Sequence, residues 1–474
     1  MSARKQVVRD NAEQMAGQRR GWIERNAYYY RDHYRYLRFL VPRGARVLDL
    51  GCGIGDVLAA LDPVHGVGVD LSQAMIEMAR ERHPRFTWLA GDVEDPALIE
   101  RLDGPFDVII LSDTIGWLED IAGTIERLHD LCDRDTRLII AYFSRAWVPV
   151  LYLADKLGLK QAQLPSNWLS ASDIHGLLEL ADFDLVKQEW RQLIPKRWLG
   201  LGPLVNRFLA TLPGLRRLCL RHYVVARPRR DPAPPAPSVT VVIPCRNERG
   251  NIADAIARMP RFADDIEILF VEGNSTDDTF AEIERVIAAS PGWTIRALKQ
   301  TGKGKGDAVR KGFAEAKGEV LMILDADLTV APESLPQFYR AVASGKGEFI
   351  NGTRLVYPMD REAMRPLNLL ANRAFALILS WLLNQRLSDT LCGTKVLSKA
   401  HYRKLDANRD YFGEFDPFGD FDLIFGAAKL NLKIVEVPVR YAARRYGETQ
   451  ISRFADGWLL LRMVLFAWRK LKAF

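Results

Sequence analysis

Twice along this chain, short apolar runs alternate with polar turns and helical patterns, and each time the runs end on glycines or carboxylates. The first series starts at Arg46-Val-Leu-Asp-Leu50, a β-type run followed by Gly51-Cys-Gly-Ile-Gly55 and a helical Asp56-Val-Leu-Ala-Ala-Leu61. Val67-Gly-Val-Asp70 reads as a second strand, Phe86–Ala90 as a third ending in Gly91-Asp92, and Phe106–Leu111 as a fourth ending in Ser112-Asp113. His222–Arg227 closes that series. The second opens with the strand Ser238–Ile243, turns into a helix through Pro244–Ile252, resumes at Ile266–Val271 and passes through the polar loop Glu272–Thr279. A glycine-rich basic loop, Thr301–Ala308, precedes another helix, and the apolar strand Val320–Leu324 runs straight into Asp325-Ala-Asp327. Strands alternating with helices predict an α/β fold in each half. Between the halves, Arg227–Ser238 holds five prolines in twelve residues, a composition that predicts a semi-extended spacer. The chain therefore reads as a domain at 1–226, a linker at 227–238 and a second domain at 239–474.

Other stretches are less regular. Trp22–Leu40 reads as a helix crowded with tyrosines, and Leu193–Val225 mixes apolar and basic residues in a way that suits either a substrate lid or packing against the domain. Leu367–Leu383 and Trp458–Trp468 are apolar, but polar residues interrupt both, and a span needs about 20 apolar residues. Neither is expected to cross a membrane. Each suits a buried helix or one lying at an interface.

The turns carry the chemistry. A strand, a glycine turn and a helix let backbone approach a nucleotide-type ligand, and Asp70 at the end of the second strand is placed to accept hydrogen bonds from ribose hydroxyls. Four successive strand ends, Ser112 and Asp113 included, deliver polar groups to one sheet edge, where doubly wound folds bind ligands. In the second half, two carboxylates exposed at the end of a buried strand are costly unless something positive meets them. A hard divalent cation bridging a diphosphate would do so at Asp325 and Asp327, whereas helix capping by Asp327 before Pro332 would need no ligand. Lys303 and Lys305, in a glycine-rich loop before a helix, suit phosphate.

Composition narrows the classes. Of 474 residues, 48% are hydrophobic and 26% charged, as in ordinary globular protein, and the net charge is only +7. That moderate charge, with no recognised binding module, argues against nucleic acid as a partner. Basic residues crowd Arg216–Arg230 and Arg462–Lys472, which suits phosphate-bearing ligands or an anionic membrane. The five cysteines show neither CxxC pairs nor metal spacing, and Met1–Arg20 has no apolar signal core, so a cytosolic setting is expected, with at most peripheral contact at the cytoplasmic face of a membrane.

Leu48-Asp-Leu-Gly-Cys-Gly-Ile-Gly55, Gly68-Val-Asp-Leu-Ser72, Gly91-Asp92 and Phe106–Leu111 resemble the class I S-adenosylmethionine-dependent methyltransferases, over roughly residues 25 to 225. The resemblance implies a Rossmann-like domain in which Asp49, Gly51, Gly53 and Gly55 hold the methionine end, Asp70 the ribose and Asp92 the adenine amine, with Ser112 beside them. A dehydrogenase is the rival reading, but its glycine spacing differs. The sulfonium is already an activated electrophile, so the protein must mainly align a nucleophile. His175 and His222 are candidate bases if the acceptor is a hydroxyl. No N-P-P-Y-type tetrapeptide follows strand four, which favours an oxygen or small-molecule acceptor.

Val242-Ile-Pro-Cys-Arg-Asn-Glu248, Ser275-Thr-Asp-Asp-Thr279, Gly302-Lys-Gly-Lys-Gly306, Asp325-Ala-Asp327, Gly352-Thr-Arg354, Gly393-Thr-Lys395 and Glu436-Val-Pro438 are similar to family 2 glycosyltransferases of GT-A fold, in particular to dolichol-phosphate mannose synthases. The likeness implies a GDP- or UDP-linked sugar donor bound by Pro244, Asn247, Glu248, Glu272, Asp277, Lys303, Lys305 and Asp325. It implies Mg²⁺ or Mn²⁺ at Asp325 and Asp327, and inversion at the anomeric carbon. Arg444 and Arg445 fall where relatives hold phosphate groups. Val271-Glu-Gly-Asn-Ser275 departs from the family's Val-Asp-Asp-Gly-Ser, which leaves the nucleotide base open. A polyprenyl phosphate acceptor arrives anionic and needs no base; a glycan hydroxyl needs one, and Asp420 or Asp422 is the candidate. The expectation is a bifunctional enzyme acting on glycoconjugates, the alternative being a first domain that binds S-adenosylmethionine without reacting.

Overall fold

The protein is described by a computed structural model over residues 2–158, 167–229, 236–357, 366–411, 419–442, 444, 446 and 453–474; at 366–370, 420 and 453–457 only the backbone is described. The chain divides into two compact units at residue 231. Residues 230–235, the centre of the proline-rich seam, lie outside the described residues.

The first unit is built on seven strands: β1 (Arg46–Leu50), β2 (His65–Asp70), β3 (Thr87–Ala90), β4 (Val108–Ser112), β5 (Arg137–Phe143), β6 (Phe183–Arg191) and β7 (Arg221–Pro228). Their order is β3-β2-β1-β4-β5-β7-β6, with β7 antiparallel to both neighbours and β1 to β5 parallel. β7 continues two residues past position 226, so the sheet extends into the start of the seam. Val47, Leu48, Leu50 and Ile109 to Leu111 are fully buried, as a sheet covered on both faces requires. The order reverses between β1 and β4, which opens a crevice beyond their carboxyl ends. Two helices precede β1, namely α1 (Ala3–Arg25) and α2 (Ala27–Leu40), in place of the single helix expected from Trp22. Asn26 breaks them with φ −109° and caps α1 through its backbone N–H.

The second unit has another seven-stranded sheet: β8 (Val239–Cys245), β9 (Ile266–Glu272), β10 (Thr294–Lys299), β11 (Val320–Ile323), β12 (Phe349–Thr353), β13 (Lys395–Ser398) and β14 (Ile434–Pro438). The order is β10-β9-β8-β11-β13-β12-β14, with β13 antiparallel to β11 and β12, so the direction of winding switches between β8 and β11. Ile243, Phe270, Met322 and Phe338 anchor the core on one face. Among the described residues no helix is long and apolar enough to cross a membrane. Pro366–Leu383 is a helix that buries Ala376, Leu379 and Leu382, while Arg453–Leu471 buries Met463 and Ala467 and exposes Trp458, Leu461 and Leu465.

Candidate active sites

In the first unit the glycine turn sits at the β1/β4 crevice. Gly51, Gly53 and Gly55 have φ of 81°, 52° and 83°, left-handed backbone that side chains disfavour, and a Cβ on Gly51 would strike Thr114. The turn is tied to β2: Gly51 N–H donates to Val69 O at 2.7 Å, and Gly53 N–H to Asp70 Oδ2 at 2.8 Å. Asp70 also accepts from Ser72 N–H at 3.0 Å, so its carboxylate is fixed at the end of β2. Burial pushes the Asp70 carboxyl up, opposed by these two backbone donors.

Asp49 is different. It is fully buried on β1, neither carboxylate oxygen has a hydrogen-bond partner, and burial, with Asp70 nearby, pushes its pKa up to about 7. A buried carboxylate in this condition needs a proton or a cation. A ligand with positive charge fits the turn, and S-adenosylmethionine, cationic at sulfur and amine, has the required sign. Asp92 lies past β3 and already pairs with Lys5 of α1, which also meets Glu94 at 3.0 Å.

Beyond β4 the structure assembles a cluster that the sequence pattern did not single out. His33 of α2 is buried between Ser112 Oγ, 2.9 Å from Nε2, and the Tyr223 hydroxyl, 2.8 Å from Nδ1. Burial, reinforced by Arg221, holds its imidazole well below the ordinary range, so it is neutral. Arg221 grips Asp113 with two hydrogen bonds of 3.2 and 2.6 Å and lies over the Tyr29 ring, whose buried hydroxyl has no hydrogen-bond partner. The two expected bases lie elsewhere. His175 is half-buried beside Glu179, and His222 is buried against Trp190 on the outer strands, its pKa pushed down to about 4 by burial.

In the second unit the loops after β8 and β9 are sewn together beside Pro244, which pairs in register with Val271. Asn247 N–H donates to Ser275 Oγ at 3.0 Å, Thr276 N–H to Asn247 Oδ1 at 2.8 Å, and Glu248 N–H to Thr279 Oγ1 at 3.0 Å. Glu272 accepts from Ser275 N–H, and Asp277 caps Thr279 N–H at 3.1 Å. Arg444 joins this wall to the strand-end carboxylates, its guanidinium lying 3.2 Å from Glu248 and 2.9 Å from Asp327.

The helix Gly304–Glu315 begins earlier than the sequence suggested, so Lys303 is its exposed N-cap and Lys305 stands in its first turn. Lys305 pairs with Asp325 at 2.7 Å. Burial alone would raise the Asp325 carboxyl, but Lys305, then Lys395 and Arg354, outweigh it and hold it below its ordinary value. A Cβ on Gly393 would collide with both Asp325 and Lys305, which explains the glycine there. Asp327 also accepts from Thr329 N–H and Oγ1, a local turn rather than a helix cap. The two side chains remain 29% and 17% exposed and offer only oxygen donors, so the pair fits a hard divalent cation.

Asp422 belongs to another cluster. It pairs with Arg409 at 3.2 Å and lines a small cavity with Leu405, Asn408, Gly426, Lys429 and Leu430. Asp420 starts the same helix directly after Gly419, whose backbone packs on Gly306; its side chain, and all of Arg445, lie outside the described residues.

Comparison with known proteins separates the halves in the same way. A family model described as a methyltransferase domain matches residues 22–188, and one described as glycosyl transferase family 2 matches residues 240–405. A low-salt glycan biosynthesis hexosyltransferase of Haloferax volcanii is 30% identical over 48% of this chain and 54% of its own length. A dolichol-phosphate mannosyltransferase of Mycosarcoma maydis is 28% identical over 46% of this chain and 74% of its own length. The chain thus spans about half the length of the first of these relatives. Among solved structures, a Thermotoga maritima methyltransferase titled a possible histamine N-methyltransferase is 16% identical, with a TM-score of 0.37, covering 46% of this chain and 99% of that one. Residues 22–188 thus match a methyltransferase domain in the first unit, and residues 240–405 match a family 2 glycosyltransferase domain in the second.

Proposed function

We propose that the chain is a bifunctional enzyme that transfers a sugar from a nucleotide donor to a polyprenyl phosphate and a methyl group from S-adenosylmethionine to an oxygen of a glycoconjugate. The observation that carries the sugar transfer is the strand-end pair, in which Asp325 meets Lys305 and Asp327 meets Arg444. Asp325 and Asp327 would hold Mg²⁺ or Mn²⁺, which when bound neutralises charge on a departing nucleoside diphosphate. Lys305 and Arg444, which stand beside these carboxylates, would then meet the phosphate oxygens of the donor. The loops at Asn247, Glu248, Glu272 and Asp277 form the wall against which the donor's nucleoside would lie. An anionic acceptor attacks without a base, in keeping with Asp422 being paired to Arg409 in a separate cluster. The relatives' printed names, which include dolichol-phosphate mannosyltransferase, support that acceptor class. The exposed Trp458, Leu461 and Leu465 of the last helix give a carrier lipid an apolar surface near Arg462 and Arg469.

For methyl transfer, the glycine turn with Asp49, Asp70 and Asp92 would hold S-adenosylmethionine, which supplies the activated methyl group. An oxygen acceptor loses a proton on methylation. Ser112 at the end of β4 would take that proton and pass its own to neutral His33, whose Nε2 lies 2.9 Å from Ser112 Oγ.

The cross-test uses one variant in each unit. Asp327→Asn is expected to abolish nucleoside-diphosphate release and leave affinity for S-adenosylhomocysteine intact; Asp70→Ala is expected to do the reverse. Release undiminished in Asp327→Asn would remove the metal assignment, and affinity undiminished in Asp70→Ala would remove the ribose assignment.

A further inference from the structure

Between β6 and β7 the chain turns a run of large apolar side chains outward. Trp198 and Leu199 sit at its tip with exposures of 62% and 110%, and Leu201, Leu204, Leu209 and Leu218 are each about half exposed or more. Trp198 and Leu199 have φ of 38° and 54°, consecutive left-handed positions that side chains disfavour. Strained backbone that displays a tryptophan and a leucine to water gains nothing in the free protein. The helix Val148–Lys156 adds to this surface: Trp147 Nε1 donates to Leu218 O at 2.7 Å, and Tyr152, Leu153 and Leu157 are exposed. Isolated exposed leucines are ordinary, but this many large apolar side chains exposed along one short segment mark an interaction surface.

Charge identifies the occupant. From Trp190 to Arg230 the sequence holds no Asp or Glu, while Lys196, Arg197, Arg207, Arg216 and Arg217 stand among the apolar residues. Arg197 and Arg217 are exposed. Tryptophan and leucine at the tip, with single-sign basic residues around them, match the interfacial zone of a bilayer whose surface is anionic. We infer that residues 195–218, with the adjoining helix, dock the methyltransferase unit on an anionic membrane surface. This surface belongs to the first unit alone and does not rest on the acceptor proposed for the second.

The test places a reporter on the tip of the full-length chain. Leu199→Cys, in a background where the partly exposed Cys132 is replaced by serine and the other four cysteines remain buried, carries an environment-sensitive fluorophore. With phosphatidylcholine vesicles containing phosphatidylglycerol the emission is expected to shift to the blue, and the shift is expected to vanish in high salt or in Arg197→Glu/Arg217→Glu. Three results would each overturn the inference: no shift while the protein still sediments with vesicles, an equal shift with phosphatidylcholine alone, or a shift without lipid that grows with protein concentration, which would make a second copy the occupant. As an independent check, Leu199→Asp/Leu201→Asp should weaken vesicle binding roughly tenfold while S-adenosylhomocysteine binds as before. Unchanged vesicle binding in that variant would count against the inference as well.

Discussion

Asp49 carries the sharpest residue-level consequence. Its pKa of about 7 in the folded chain lies above the ordinary carboxylate value of about 3.9 in an unfolded one. The folded state therefore keeps a proton that the unfolded state has lost, so stability falls as pH rises from about 4 to about 7 and is level beyond. For a fully buried group the loss is at most about 4 kcal/mol. Asp49→Asn removes this titration, so denaturant melts should show the variant gaining on the parent through that window, with no difference developing above it. A cationic ligand favours the ionised form, so the parent's affinity for S-adenosylmethionine should rise with pH to about 7 and the variant's should not. At His33, His33→Gln is expected to keep S-adenosylhomocysteine affinity and to lose methyl transfer roughly a hundredfold, measured with the lipid-linked sugar as acceptor. Side-chain chemistry at strand ends was legible in the sequence, because a carboxylate after an apolar run demands a partner wherever it occurs. The partners were not legible: Arg444 reaches Asp327 from 117 residues away, and His33 meets Tyr223 across 190. Nothing local to a tyrosine-rich helix distinguishes a histidine that packs from one that bonds two hydroxyls.

At the scale of elements, strands were easier to read than the helix that precedes them. Apolar runs such as Ile109–Leu111 are buried on both faces and announce themselves, whereas α1 has Ala16 as its buried residue and no apolar stripe. Beside a small apolar contact of Ala16 and Ile23 with Ile54 and Met75, its hold on the fold is mainly polar. Ser2 Oγ donates to Glu119 at 2.6 Å, Arg4 to Asn167 at 3.1 Å, Lys5 pairs with Asp92 and Glu94, and Glu13 accepts from Gln73 and Ala74 N–H at the start of the helix Gln73–Arg82. These contacts tie α1 to the loops that follow β2, β3 and β4, which are the loops of the proposed cofactor site. Charged contacts near the surface are screened by salt, each weakening by a fraction of a kcal/mol. Hydrogen exchange across residues 3–25 should therefore quicken several-fold between low and high ionic strength while β1 and β4 stay protected. Exchange in α1 that ignores salt would mean that apolar packing holds it.

For the molecule as a whole, the two sheets with their separate switch points explain why one chain can house two chemistries: each unit has its own core, crevice and neutralised charges. Sequence pattern exposed that division because each half restarts with a strand and a ligand-binding turn. The seam itself was legible as composition only. That the second unit serves a lipid phosphate is tested by nucleoside-diphosphate release from a panel of GDP- and UDP-sugars, with Mg²⁺ or Mn²⁺, in the presence and absence of a short polyprenyl phosphate. Release is expected from one nucleotide sugar, requires both metal and lipid, and is lost in Asp327→Asn. Turnover that proceeds equally well without the lipid, or that a glycan hydroxyl supports in its place, would contradict it.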